Sequence, residues 1–146
     1  MDWDLTRFVQ AQEQGQVWKD ALEEIAAGEK RSHWMWFIFP QLRGLGTSRM
    51  AEYYGLAGAQ EAAAYWAHPV LGPRLRQMCE TLLGLESRNA MVIFGWPDNL
   101  KLLSCMTLFS HAVPQEPLFR RVLEKFYGGR EDGQTLRMLQ GPGTEA

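Results

Sequence analysis

KRSHWMWFIFPQLRGLGTS, residues 30–48, is the stretch on which the reading of this chain turns. It gathers two Trp, two Phe, a His and three basic residues, and no acid lies between Glu29 and Glu52. An amphipathic helix would set its charges along one face. Here Lys30, Arg31 and Arg43 flank a run, Trp34 to Phe39, that is apolar at every position. Such a run is buried all round. Its Trp and Phe content would suit a strand, but nothing alternates and no hairpin partner follows, so it predicts a short helix stopped by Pro40. The tail, Arg43 to Ser48, is a glycine loop leading into another helix. Free N–H groups at a helix start, with Gly44 and Gly46 letting backbone approach closely, are the makings of an anion site. The stretch therefore suggests a pocket with an aromatic wall and a phosphate or carboxylate anchor.

Outward from there, the chain reads as helices with short connections. Asp4 caps a helix over 5–12, and a second spans 16–27 with Asp20, Glu23 and Glu24 on its outer face. Further helices are expected over 48–54, 58–67, 69–83, 97–112, 117–126 and 132–139, punctuated by glycines and prolines, with Asp132 capping the last. His68 reads as a helix-end residue favoured by the dipole. Residues 89–94 are too short to assign to a strand or a helical turn. The expectation is an all-α, single-domain multi-helix bundle over 1–140, with 141–146 a frayed tail.

Composition bounds the partners. The chain has 146 residues, 15 basic against 17 acidic, for a net charge of −2. That leaves no basic field for general nucleic-acid binding. Cys79 and Cys105 have no metal or redox spacing and suit a reducing compartment. The acidic N-terminus has no apolar signal region and no run is long enough to cross a membrane, so a cytoplasmic protein is expected. No i,i+4 His pair or Cys-x-x-Cys occurs, so neither metal nor cofactor is expected.

The 97–112 helix is the second informative element. Lys101, Ser104 and His111 fall within about 80° of one another, with Thr107 alongside and Asp98 at the margin. Apolar residues cover nearly everything else, which makes this helix central. Its polar strip is either a set of satisfied buried groups, with Asp98 and Lys101 an ordinary i,i+3 pair, or a surface facing a ligand. His33 is either a base or ligand contact, or a core-edge histidine bonded to backbone. Gly44-Leu-Gly46 is neither the dinucleotide fingerprint nor a phosphate-binding P-loop. Arg43 and Arg49 bracket it, with hydroxyls at Thr47 and Ser48. Trp34 and Trp36 could stack a base, although large aromatics more often fill the core.

Several motifs match one family in order: Arg7-Phe8-Val9-x-Ala11-Gln12, the block from Lys30 to Gln41, Arg43-Gly44-Leu45-Gly46, His68-Pro69-Val70-Leu71-Gly72-x-Arg74-Leu75, and Phe94-Gly95-x-Pro97-Asp98-x-x-Lys101-Leu102-x-Ser104-x-Met106-Thr107-Leu108-Phe109. Over residues 3–139 the chain resembles the bacterial family of domain of unknown function 1810. Some members carry the label calpastatin, a disordered inhibitor unlike this core-forming chain. The resemblance implies a compact helical domain and no established activity; Cys105 stands where a second small hydroxyl residue is expected. The Phe8-x-x-Ala11-Gln12 signature is also similar to one in the NADAR family of ADP-ribose-processing proteins, which supplies no catalytic residue that carries over.

Two functions follow as expectations. One is a pocket for a small phosphorylated or nucleotide-like ligand, with N-glycosidic hydrolysis of an ADP-ribose adduct as its chemistry. There Lys30, Arg31, Arg43 and Arg49 would hold phosphates, Trp34 or Trp36 would stack the base, and Asp98 would be the carboxylate near the sugar. Arg7, Lys30, Arg31, Arg43, Asp98, Lys101 and Ser104 should then converge on one cleft, with Arg43 the main anchor. The other is a non-catalytic protein-interaction module with a basic and aromatic rim. The oligomeric state is left open.

Overall fold

The structure, a computed structural model, describes residues 3–140. The fraying expected of 141–146 lies outside them. The chain forms α1 (Thr6–Glu13), a 3-10 turn (Gln14–Gln16), α2 (Val17–Ala26), α3 (Met35–Ile38), α4 (Arg49–Tyr53), α5 (Ala59–Ala67), α6 (Leu71–Gly84), α7 (Ala90–Phe94), α8 (Asp98–Ala112), α9 (Leu118–Tyr127) and α10 (Gly133–Gln140). The fold is all-α. The single β pairing among the described residues is a parallel bridge between Leu42 and Leu56, made by Arg43 N–H to Leu56 O (2.8 Å) and Leu56 N–H to Gln41 O (2.9 Å).

Helix α8 is the axis, as its nearly continuous apolar surface requires: every residue from Leu102 to Ser110 is buried. Helices α5, α7, α9 and α10 pack on it, α6 lies against α9, α5 and α2, and α1 joins α2 to α3. Its three buried hydroxyls turn back onto the helix. Thr107 Oγ1 donates to Leu103 O at 2.8 Å, Ser110 Oγ to Thr107 O at 2.8 Å, and Ser104 Oγ lies 3.2 Å from Leu100 O. Each of them thus has a partner within its own helix.

The aromatic block is core, with one exception. Trp34, Met35, Phe37, Ile38 and Phe39 are buried, whereas Trp36 is half-buried and packs against the core from its edge. Only residues 35–38 are helical; Phe39 and Pro40 lead straight into the bridge. Residues 90–94 form a helix because the Asn89 side chain caps it, accepting from the N–H groups of Met91 (3.0 Å) and Val92 (3.3 Å). His68 does more than end a helix: its Nδ1 accepts from Val70 N–H (3.1 Å) and Leu71 N–H (3.2 Å) and so opens α6. Gly72 must be glycine, since a Cβ there would sit 2.0 Å from Trp66 O.

Buried polar groups tie the helices together. Gln12 donates to Phe37 O (2.8 Å) and to the Tyr65 hydroxyl (3.1 Å), and its own oxygen accepts from Arg74 (3.2 Å). Burial pushes the Tyr65 hydroxyl far above its usual range. Lys125 on α9 caps the end of α6 by donating to the carbonyls of Leu82, Leu83 and Leu85. Among the described residues no helix is long and apolar enough to cross a membrane, and no group of three or more His, Cys, Asp or Glu could hold a metal.

Candidate functional site

The cations expected to meet in one cleft are divided among three places. At the first, Arg7 and Arg43 close on the segment around α4. Arg7 donates to Tyr53 O (2.8 Å), Asp4 O (3.0 Å) and Gly55 O (3.3 Å), and pairs with Glu61 at 3.2 Å. Arg43 donates to Glu52 O (3.1 Å) and to the same Gly55 O (3.0 Å). Both guanidiniums thus serve the carbonyls at the end of α4, where the helix dipole favours a cation. Glu61, 3% exposed, also accepts from Ala57 N–H at 2.7 Å and is the buried counter-charge of this corner. The glycine loop is built for packing. A Cβ on Gly46 would meet Ala51 Cβ at 2.8 Å, and Gly44 (φ 104°) faces Met138. Ser48 caps α4 through Ala51 N–H at 3.1 Å.

At the second place, the loop before the aromatic block is held by Glu24 of α2. One carboxylate accepts from Arg31 N–H (2.8 Å), Ser32 N–H (3.0 Å), the Ser32 hydroxyl and Trp34 Nε1 (2.9 Å). Partial burial works to raise its pKa, but the four hydrogen bonds outweigh that and hold it at about 2, against an ordinary 4.5. The outward placement read for Glu24 is therefore corrected: its side chain folds back because a buried Trp N–H and two loop N–H groups need an acceptor. The side chain of Arg31 is exposed and pairs with Glu29 at 3.4 Å. His33 is exposed and makes no hydrogen bond or ion pair among the described residues.

The third place joins opposite ends of the sequence. Lys30 Nζ lies 3.0 Å from Asp98 Oδ2, and Lys101 Nζ lies 3.5 Å from Asp98 Oδ1. Two ammonium groups share one carboxylate. Each also sits over an indole, Lys30 at 4.9 Å from the Trp34 ring and Lys101 at 5.3 Å from the Trp36 ring. The Lys30 side chain is 8% exposed and holds the shorter contact; that of Lys101 is 27% exposed and holds the longer one. The surplus positive charge therefore resides on Lys101.

Lys101 opens onto a cleft of about 290 Å³, lined also by Gln41, Leu45, Gly46, Pro97, Leu100, Leu103, Ser104, Asp132 and Gln134. Of the residues singled out in the sequence, Gly46, Lys101 and Ser104 line it. Asp132 was read there only as a helix cap. Its Oδ2 does cap α10, accepting from Thr135 N–H at 3.0 Å and from the Thr135 hydroxyl, but it also lies 3.0 Å from Ser104 Oγ. Asp132 N–H donates to Thr107 Oγ1 at 2.9 Å, and His111 Nε2 lies 2.7 Å from Glu131. The polar strip of α8 thus faces the segment that enters α10, and the cleft opens at one end of that seam. A larger depression, about 690 Å³, lies over α4 between Thr47, Arg49, Met50, Glu52 and Tyr53. It is an open surface on a helix with no buried residue, and it encloses nothing.

Among curated proteins, none matches the chain. A solved structure, the conserved hypothetical protein Rv1873 from Mycobacterium tuberculosis, is similar at 48% sequence identity and a TM-score of 0.89, covering 93% of this chain and 96% of that one. That likeness assigns no activity. The family model described as "Protein of unknown function (DUF1810)" matches residues 2–139, and the chain belongs to that family.

Proposed function

We propose that the cleft between α8 and the start of α10 binds a small anionic, nucleotide-like ligand, with Lys101 on its phosphate or carboxylate. One observation carries the reading: Lys101 is the member of a two-lysine, one-carboxylate group that is left with surplus charge, and it faces a cavity. An ammonium held by packing and short of counter-charge is a prepared anion contact. The Gln41 and Gln134 amides on the same wall make no side-chain hydrogen bond within the described protein, so their donors and acceptors are open to a ligand. If the chemistry is N-glycosidic hydrolysis of an ADP-ribose-like adduct, Asp132 is the better-placed carboxylate, because both oxygens of Asp98 are engaged by lysines. Free buried thiols at Cys79 and Cys105, raised by burial, suit a reducing cytoplasm.

The test is calorimetric titration of inorganic phosphate, AMP and ADP-ribose into the parent, Lys101→Met and Arg43→Lys. Binding by the parent and by Arg43→Lys, lost in Lys101→Met with folding intact, supports the cleft. No binding of any of the three to the parent removes it. A second reading, the interaction module, is favoured by a different observation: Met91, Val92, Trp96 (70% exposed) and Leu100 leave apolar surface at the α7–α8 corner. In that case the titrations are silent and a Trp96→Ser variant loses a partner.

A further inference from the structure

We infer that the ligand of this cleft is a sugar carrying one phosphate ester, bound by its oxyanion at Lys101 and by a hydroxyl donated to Asp132 Oδ1. The inference rests on the reading of the cleft as a ligand site and narrows it by charge, size and hydrogen-bonding sense.

Charge comes first. Among the described residues, Lys101 and Asp132 are the only ionisable ones lining the cleft, one cation and one anion. A diphosphate would set at least two negative charges against a single ammonium and bring one of them toward the Asp132 carboxylate. One phosphate at the Lys101 end avoids that repulsion. Size agrees. About 290 Å³ lies at the lower edge of small-molecule pockets, which run roughly 300–1,000 Å³. That suits a sugar phosphate or the sugar-phosphate half of a mononucleotide, and a whole dinucleotide would protrude.

Hydrogen-bonding sense gives the sugar. Asp132 Oδ2 is occupied by Thr135 and Ser104, whereas Oδ1 accepts from no described residue. An ionised carboxylate oxygen accepts and cannot donate, so the group that meets it must bring a proton, as a hydroxyl does and a second phosphate oxygen does not. Ser104, bonded to Asp132, stands three residues beyond Lys101. Lys101 and the Ser104 that holds Asp132 therefore line the same cleft from neighbouring turns of α8. Leu45, Leu100 and Leu103 give the sugar ring an apolar wall, and Gln134 supplies an amide for a second hydroxyl.

The experiment is calorimetric titration of inorganic phosphate, ribose, ribose 5-phosphate, AMP and ADP-ribose into the parent, Lys101→Met, Asp132→Asn and Gln134→Ala. Ribose 5-phosphate is expected to bind the parent at least about tenfold tighter than inorganic phosphate, the worth of one hydrogen bond to a charged group. ADP-ribose should bind no tighter than AMP. Asp132→Asn keeps a helix-capping side chain, and it should lose that tenfold gain while binding inorganic phosphate as well as the parent does. Lys101→Met should lose every phosphorylated ligand. Gln134 is exposed and caps nothing, so Gln134→Ala tests the sugar contact if Asp132→Asn does not fold; a several-fold loss confined to the sugar-bearing ligands supports it. AMP binding tighter than ribose 5-phosphate assigns the nucleotide form, and equal binding assigns the sugar phosphate. If inorganic phosphate binds through Lys101 as tightly as ribose 5-phosphate, the sugar inference fails and the anion site stands. If no phosphorylated ligand binds, both fail.

Discussion

The arginine corner and the lysine pair each set two cations around one carboxylate, buried Glu61 in the first and half-buried Asp98 in the second, and arrive at different results. Arg7 and Arg43 spread their donors over the carbonyls of Asp4, Glu52, Tyr53 and Gly55, and Glu61 pairs with Arg7. Of their guanidinium nitrogens, Arg43 Nη1 alone bonds to no described residue. Lys30 and Lys101 share Asp98 as counter-charge, and Lys30 also donates to Ser32 O, so one ammonium is well matched and the other is not. The loop held by Glu24 is the mirror of the arginine corner, a carboxylate saturated by N–H groups. A charged residue becomes available for function where donors and acceptors fail to balance, and that balance is set by neighbours distant in sequence.

Removal of Arg7 should cost most. Arg7→Ala strands Glu61 in the interior, and chemical denaturation should show a loss of about 3–5 kcal/mol, the range for breaking one side of a buried pair. A loss below about 1 kcal/mol would place the corner among solvent-screened surface pairs and erase the contrast with the lysines. Asp98→Asn should come next. It leaves two ammonium groups facing a neutral amide and should destabilise by about 1–3 kcal/mol. The same variant should bind phosphate more tightly than the parent, because Lys101 loses what counter-charge it has; unchanged or weaker binding would show that Asp98 is not the group that limits Lys101.

Glu24→Gln should be milder and dependent on pH. The folded carboxyl titrates at about 2 against an ordinary 4.5, so its contribution is complete above about pH 4.5 and fades as the pH falls toward 2. At pH 7 the variant should lose about 1–2 kcal/mol, the worth of charge-assisted hydrogen bonds partly replaced by neutral ones. Near pH 2 parent and variant should converge. Parallel stability curves across that window would mean that the loop does not depend on the ionised form. Smallest of all, Arg43→Ala should cost about 0.5–1 kcal/mol, since it removes two bonds at a helix end, one exposed and one part-buried, and it should leave ligand binding as it is.

Much of the fold could be read from residue patterns. The apolar girth of α8 made it central, Ser48 and Asp132 marked helix starts, and the family motifs carried an all-α domain. Residues 90–94 resisted because five apolar side chains are too few to show a period; Asn89, just before them, was the cap that decides it. The Leu42–Leu56 bridge had no local signature at all. At the candidate site, Lys101, Ser104 and Gly46 stood out, but Glu24, Glu61 and Asp132 did not. Helical periodicity places a Cα on a face and says little about where a long carboxylate reaches. The acid-free stretch around Arg43 suggested a missing anion for a related reason: a search for counter-charge counts acids and overlooks carbonyl oxygens, which are what Arg43 meets.

The Leu42–Leu56 bridge carries a dynamic consequence. It closes residues 43–55 into a loop with a neck of two backbone hydrogen bonds, and the helix inside that loop buries no residue of its own. Such an excursion can open as a unit while the core stays folded, at the cost of the packing of Leu45 and Tyr54 against the core. In hydrogen exchange, the amides of α4 should open at a fraction of the free energy that protects α8, and Arg43 and Arg7 act as the latch through Gly55 O. Gly46, on the border of the cleft, belongs to the same loop. The frequency with which that latch releases would set how often the cleft admits something wider than its resting shape.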